Sequence, residues 1–343
     1  MSFSHLLKTF AQFVAVTFSM AINAVLIILV VYHSPDKIGN YKYLMIYFCL
    51  ISMFYAAIDF TVQPYLHSYG SSFSMIMDLR GSVFQNFHYV AFLLTSSLAG
   101  CFGMSIYAIS INFVYRFFAI KRANGTKNFS GFKLFFWLSI PIVAGIAWLS
   151  VGVFLMDYDE EFAEYLSESI YKSYGLDWHY ITLTGCMYFR SDGNGGSHWS
   201  VSDTTGAAVL TGIMNTAFFI ILYFGYRTKK MINCLTTNKG DTRFSQRLQK
   251  QLYNALVAQT LIPITFLFIP IGILFSAPLF GFDLERWSYL VTFFYSFYPV
   301  VDPIPTIFFI DEYRTAFLNF FRRTLNRNQV TPVKSIDIVP ELP

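Results

Sequence analysis

Two carboxylates stand inside long apolar runs of this sequence, Asp59 and Asp302. A carboxylate at the centre of a bilayer costs roughly 2.5–3.5 kcal/mol on insertion scales, so each needs an inward face and a partner. Two intramembrane aspartates would suit acid–base proteolysis, but their expected depths differ and the sequence has no Gly-x-Gly-Asp string. For Asp59 the alternatives are ligand contact and helix packing. For Asp302 they are a packing hydrogen bond and a switching role, with Asn23 at a comparable depth as a partner. His88, Phe92, Thr95, Ala99 and Phe102 follow helical spacing and can line a cavity, although a Phe-rich stripe also suits ordinary packing.

Other chemistry is missing. The six histidines are scattered and make no metal-binding box. Cys49, Cys101, Cys186 and Cys234 have no metal or disulfide spacing. No phosphate loop, nucleophile elbow or paired acid–base motif appears. An enzyme is not expected, nor a metal, a cofactor or a nucleic-acid partner.

The elements that must position these residues follow from composition. The 343 residues are 55% hydrophobic and only 13% charged, about half the charged share of a soluble domain. A spanning helix needs roughly 20 apolar residues. Seven such runs are present, at about 10–32, 43–62, 84–115, 133–156, 206–226, 253–277 and 287–310. They are too long and too uniform for barrel strands. The expected fold is an all-α membrane protein, a seven-transmembrane-helix bundle over 1–310. The first run is too long for a cleavable signal peptide and is expected to remain as helix 1. No inverted repeat suggests a transporter.

Charge orients the bundle. Nineteen of the 24 Lys and Arg residues fall in segments 33–42, 116–133, 227–250 and 311–343. The N-terminus and the other three loops hold five basic residues and twelve of the 20 carboxylates. Basic segments stay in the cytosol during insertion, so the N-terminus is expected outside and the C-terminus inside. The sequons at Asn124 and Asn128 then lie inside and should carry no sugar.

The loop from Asp157 to Thr205 holds an amphipathic helix with Phe162, Leu166 and Ile170 on one face, ended by Gly175. A strand over 180–189 and a turn at 192–196 follow. Together they are either a lid over an outer cavity or a solvated acidic loop. Residues 311–327 read as a short interfacial helix, with Phe317, Phe320, Phe321 and Leu325 on one side and Arg314, Arg322, Arg323 and Arg327 within reach of headgroups. The tail, 328–343, is expected to be disordered. Pro263, Pro270 and Pro303 remove backbone bonds in helices 6 and 7, giving hinges or static curvature.

Five strings occur in order along the chain: Ile38-Gly-Asn-Tyr-Lys-Tyr-Leu-Met-Ile-Tyr-Phe48, Phe113-Val-Tyr-Arg-Phe-Phe118, Arg247 to Pro263, Tyr298-Pro-Val-Val-Asp-Pro-Ile304 and Asp311-Glu-Tyr-Arg314. As a set the chain resembles the nematode seven-transmembrane chemoreceptors of the Str family, the group containing the diacetyl odorant receptor. The resemblance implies a G-protein-coupled odorant-type receptor for a small, largely apolar ligand arriving from outside. It implies a heterotrimeric G protein as partner and the plasma membrane, in the cilium of a sensory neuron, as location. Tyr115-Arg116 looks like the counterpart of the Asp-Arg-Tyr motif of rhodopsin-like receptors, with the acid replaced by Tyr115. Lys229, Lys230, Arg243 and Arg247 would add positive charge for the G protein or for anionic lipid; setting topology is the alternative. Cys101 lies 15 residues before Arg116, about 22 Å along a helix, so no bridge to Cys186 is expected. The competing class is a seven-helix ligand-gated cation channel, which places the N-terminus inside.

Overall fold

An apolar segment in lipid can satisfy its backbone only by bonding to itself, and helices result. The computed structural model describes residues 3–121, 127, 129–156, 158–191, 196–237 and 243–327. Six helical segments there are long and apolar enough to cross a bilayer. A bent pair, Trp287–Phe309 and Asp311–Phe320 at 104°, supplies the seventh.

The spans are α1 (Phe3–His33), α2 (Tyr41–Val62), α3 (His88–Lys121), α4 (Phe132–Leu155) and α6 (Val201–Thr237), with α5 (Glu160–Tyr174) lying in the loop between the fourth and fifth. The sixth span is α7 (Arg243–Pro263) joined through a π-helical turn, Ile264–Phe268, to α8 (Ile269–Ser276). The seventh is α9 (Glu285–Val301) and α10 (Ile304–Phe309), and α11 (Asp311–Arg327) turns away from it. Several helices outrun their apolar runs, most of all α6, which begins five residues early and ends eleven late, and α7, which begins ten residues early. Long α3 is the most buried span and packs on α2, α4 and α6. Gly100 and Gly145 let α3 and α4 approach until a Cβ on Gly100 would stand 2.8 Å from the Gly145 carbonyl.

The loop helix and its strand appear as α5 and β3 (Ile181–Met187), with Gly175 at φ 66° closing α5. The segment between α2 and α3 differs from its reading as plain loop. It forms a hairpin, β1 (Tyr65–Tyr69) and β2 (Ser72–Asp78), turning at Gly70 with φ 53°. A two-residue turn favours a positive φ there. Strand β3 pairs with β2 to give an antiparallel sheet in the order β1-β2-β3. Two short strands, β4 (Phe189–Ser191) and β5 (Ser197–Trp199), form a second ribbon.

The sheet is apolar on both faces because it lies between two layers. Tyr65, Ile76 and Leu183 form one cross-strand row and pack on Phe162, Leu166 and Ile170 of α5. Leu66, Met75 and Thr184 form the adjacent row and face the bundle. This caps what we call the lid end; the other is the basic end. Asn124, Asn128, most of the 192–196 turn and the tail lie outside the described residues.

Buried polar groups tie the lid down. Leu66 N donates to Thr292 Oγ1 (3.1 Å) and Ser68 Oγ to the Leu274 carbonyl (3.1 Å). His67 is fully buried, with Nε2 2.9 Å from Ser169 Oγ and Nδ1 3.2 Å from Tyr174 Oη. Burial pushes its pKa down from 6.5 to about 4, against the pull of Glu285 and Asp283. The folded chain thus holds His67 neutral, while an unfolded chain takes up a proton below about pH 6.5. Its contribution is complete above that pH and is lost as pH falls towards 4, up to about 3 kcal/mol. Thermal unfolding from pH 7 to 4 should show that slope in the native protein and a shallower one in His67→Gln. Equal slopes would mean that other groups carry the acid sensitivity.

Candidate functional site

Beneath the sheet the bundle encloses a cavity of about 90 Å³ of water-sized free space. Ala99 and Phe102 of α3, Trp148 and Gly152 of α4, Met214 of α6 and Phe275 of α8 contribute to its wall, and Leu66, Phe73, Met75 and Thr184 to its roof. Among the described residues no charged side chain lines it, and the hydroxyls are those of Thr184, Thr211 and Tyr295. The Tyr295 hydroxyl already donates to the Leu98 carbonyl at 3.1 Å. Such a wall suits a small neutral molecule with at most one or two polar atoms.

Only part of the expected stripe on α3 reaches this space. Ala99 and Phe102 line it, whereas Phe92 and Thr95 are buried in packing and His88 is exposed at the helix tip. The Thr95 hydroxyl is directed to the Ala91 carbonyl (2.9 Å). The stripe fails as a unit because α3 meets the lid near its start and the cavity only two turns further in. The roof residues belong to strands, and because Tyr65–Tyr69 and Ser72–Asp78 are buried on both faces they show no clean two-residue alternation in the sequence.

Asp59 does not line the cavity. It is buried near the lid end of α2, accepts from Ser296 and lies in the field of Lys8. Lys8, only 3% exposed, is the residue that sequence reasoning missed. Its Nζ donates to the Gln63 carbonyl at 2.5 Å and stands 2.9 Å from the centre of the Tyr65 ring. Gln63 ends α2 in the left-handed region at φ 48°. A cation at that point satisfies a free carbonyl and meets the negative end of the helix dipole. The signal was Leu6-Leu-Lys-Thr-Phe10, a lysine with apolar residues on both sides.

Asp302 and Asn23 are close but do not bond to each other. Ser52 Oγ donates to Asp302 Oδ2 (3.2 Å), and Gln259 Nε2 to the Asp302 carbonyl (3.1 Å). Asn23 Nδ2 and Ser19 Oγ instead donate to the Pro299 carbonyl (3.1 and 3.2 Å). The reason is Pro303: it has no N–H for the carbonyl four residues earlier, so α1 supplies the donors. Pro299 does the same to Tyr295, whose carbonyl takes the Tyr55 hydroxyl (3.2 Å). Pro263 closes α7 at the π-helical turn, Pro270 opens α8, and Pro303 separates α9 from α10. Asn23, Asn112, Gln259, Asp302 and Pro303 border a second, smaller polar cavity.

At the basic end Arg116 is 2% exposed. Its guanidinium carbon lies 3.6 Å from the centre of the Tyr41 ring, and Nη1 donates to Gln249 Oε1 (3.3 Å). Tyr115 stacks on Tyr41 at 5.2 Å and meets Phe129 edge-on at 4.9 Å. An aromatic face thus occupies the place where an acid would pair with the arginine. Around this cage Lys229, Lys230 and Arg247 are exposed, and Arg243 begins α7. Arg247 pairs with Asp311 (2.6 Å), which also takes Arg314 (2.6 Å), so α7 is pinned to the start of α11. All four cysteines are free thiols; Cys186 is buried in β3, and burial pushes its pKa up to about 12.

The family model for the serpentine type seven-transmembrane GPCR chemoreceptor Str matches residues 8–318. Serpentine receptor class r-10 of Caenorhabditis elegans is 30% identical over 342 residues, covering 96% of each chain. The receptor of the same name in Caenorhabditis briggsae is 30% identical, covering 91% of this chain and 89% of its own. The Caenorhabditis elegans G-protein coupled receptor str-217 is 27% identical over the same two shares. With a match from the first span to the helix after the seventh, this multi-pass membrane chain belongs to the Str family of serpentine G-protein-coupled chemoreceptors.

Proposed function

We propose that this receptor takes a small, neutral, largely apolar cue into the cavity beneath the sheet and activates a heterotrimeric G protein at the basic end. One observation carries the reading. A cavity with no charged side chain among the described residues lies against the lid-side half of the buried helix α3, and a caged arginine lies near that helix's other end. Ligand in the cavity presses on Ala99 and Phe102, and Phe102 meets Phe268 of the π-helical turn edge-on at 4.8 Å. A shift of that turn carries α7, and with it Gln249, away from Arg116. The cleft so opened accepts a partner helix. Binding selects between the two arrangements. In this reading the lid end and N-terminus are outside and the basic end is cytosolic, as the charge bias requires.

The test has two arms. Cells expressing the chain with a promiscuous G protein are screened against neutral volatiles, and a response to one of them is expected. A tag placed on the N-terminus is stained with and without permeabilisation. Staining only after permeabilisation would reverse the topology and favour the channel reading.

A further inference from the structure

The lid end of the cavity is closed by two layers. The roof strands are buried along nearly their whole length, and α5 covers their far face. Arg190 locks the margin by pairing with Asp159, with Glu161 at 3.4 Å and with Asp203 at 3.2 Å. The Tyr188 hydroxyl holds the Phe275 carbonyl at 3.0 Å, and Phe73 meets the Phe275 ring edge-on at 5.6 Å. A molecule in the water above the sheet therefore has to lift a sheet, a helix and an ion cluster.

The side of the bundle is different. Helix α6 packs on α7, where Tyr253 Oη donates to the Gly225 carbonyl (3.3 Å), yet scarcely touches α8. Gly206, Ile213 and Ala217 of α6 form the face that meets α3 and α4. Thr211 lies on the opposite flank by helical geometry, borders the cavity and is exposed on the bundle surface. Across from it on α8, Gly272 also borders the cavity, and a Cβ added there would meet nothing within 4 Å. Phe218 and Phe268 close the gap on the basic side, edge to face at 5.5 Å, and Phe275 closes it under the lid. Ile269 and Ile273, both 53% exposed, border it on the surface. Thr211 sits ten residues into α6, about 15 Å from the helix start, so the opening lies at hydrocarbon depth.

We infer that the cavity is reached sideways from the bilayer, through an opening between α6 and α8 flanked by Thr211 and Gly272. The proposal rests on the cavity being the ligand site. Its ligands are then neutral molecules that first dissolve in lipid, and effective concentration follows membrane partitioning rather than aqueous concentration. A charged analogue of the same shape is excluded twice, by the hydrocarbon and by a cavity wall with no counter-charge.

The test uses a small neutral aryl diazirine on the full-length receptor in lipid nanodiscs, flashed at increasing times after mixing, with labelled residues read by mass spectrometry. In the native protein carbene insertion is expected at Met156 and Met214, which line the cavity, and at lipid-facing Phe219 as internal control. Thr211→Trp should slow labelling at the two methionines by roughly ten-fold and leave Phe219 unchanged; Gly272→Phe should do the same from the other flank. Arg190→Gln, which loosens the lid, should not alter the rate. Faster labelling in Arg190→Gln with no effect of Thr211→Trp or Gly272→Phe would place the route through the lid and overturn the inference, while leaving the cavity as the ligand site. Labelling of Phe219 without Met156 or Met214 in the native protein would remove the cavity as a site, and the inference with it.

Discussion

Tyr41→Leu is expected to raise signalling in the absence of any ligand. Arg116 is held in this structure by the Tyr41 ring and by one bond to Gln249, and among the described residues its Nε and Nη2 have no hydrogen-bond partner. A cation over an aromatic face in a desolvated place is worth about 2 kcal/mol. Removing it from the resting arrangement alone shifts the balance towards the active one by roughly thirty-fold. Tyr41→Phe keeps the ring and should remain near native. Arg116→Ala removes the group that meets the partner and should abolish the response while surface expression is kept. The measurement is nucleotide exchange on a purified G protein with receptor in nanodiscs. Unchanged basal exchange in Tyr41→Leu would show that the ring packs against the arginine without restraining it. A full response in Arg116→Ala would remove the arginine from coupling altogether.

The aromatic lock explains a feature that is puzzling in sequence. Tyr115 stands where rhodopsin-like receptors carry an acid, so an ionic restraint on Arg116 was not to be expected. Its replacement, Tyr41, is 75 residues earlier, in the string that opens the second span, and nothing in that string marks it as the arginine's partner. Contacts between different spans are of this kind: each helix is legible from its apolar run, but the rotation of one against the next is set by packing. Ser52, rather than Asn23, meets Asp302 for the same reason. The hairpin of β1 and β2 was illegible for another. Its residues are apolar on both faces because α5 covers one and the bundle the other, so the alternation that marks a half-exposed strand is blurred. The amphipathic face of α5 was legible, since only one side of that helix is covered. The prolines were visible as breaks, but not the carbonyls they release nor the side chains that answer them.

Lys8→Met is expected to destabilise the receptor strongly. The substitution keeps the length and apolar stem of the side chain but removes the charge. It leaves the Gln63 carbonyl without its donor and Asp59 buried without its nearest cation. Lys8 and Asp59 act on each other through space rather than as a direct ion pair, so the loss should approach, from below, the cost of breaking a buried pair, about 3–5 kcal/mol. Asp59→Asn alone should cost less, since the amide can still accept from Ser296 and Lys8 keeps its bond to Gln63. In the double variant Lys8→Met/Asp59→Asn no charge is stranded. It should recover about half of the loss seen in Lys8→Met, the remainder being the uncapped end of α2. Thermal unfolding in one detergent, with a cycle of the four proteins, decides this. Additive losses in the double variant would mean that Lys8 acts only as a cap on α2. A double variant more stable than Lys8→Met would show that the two charges support each other, which ties the first span to its neighbour α2.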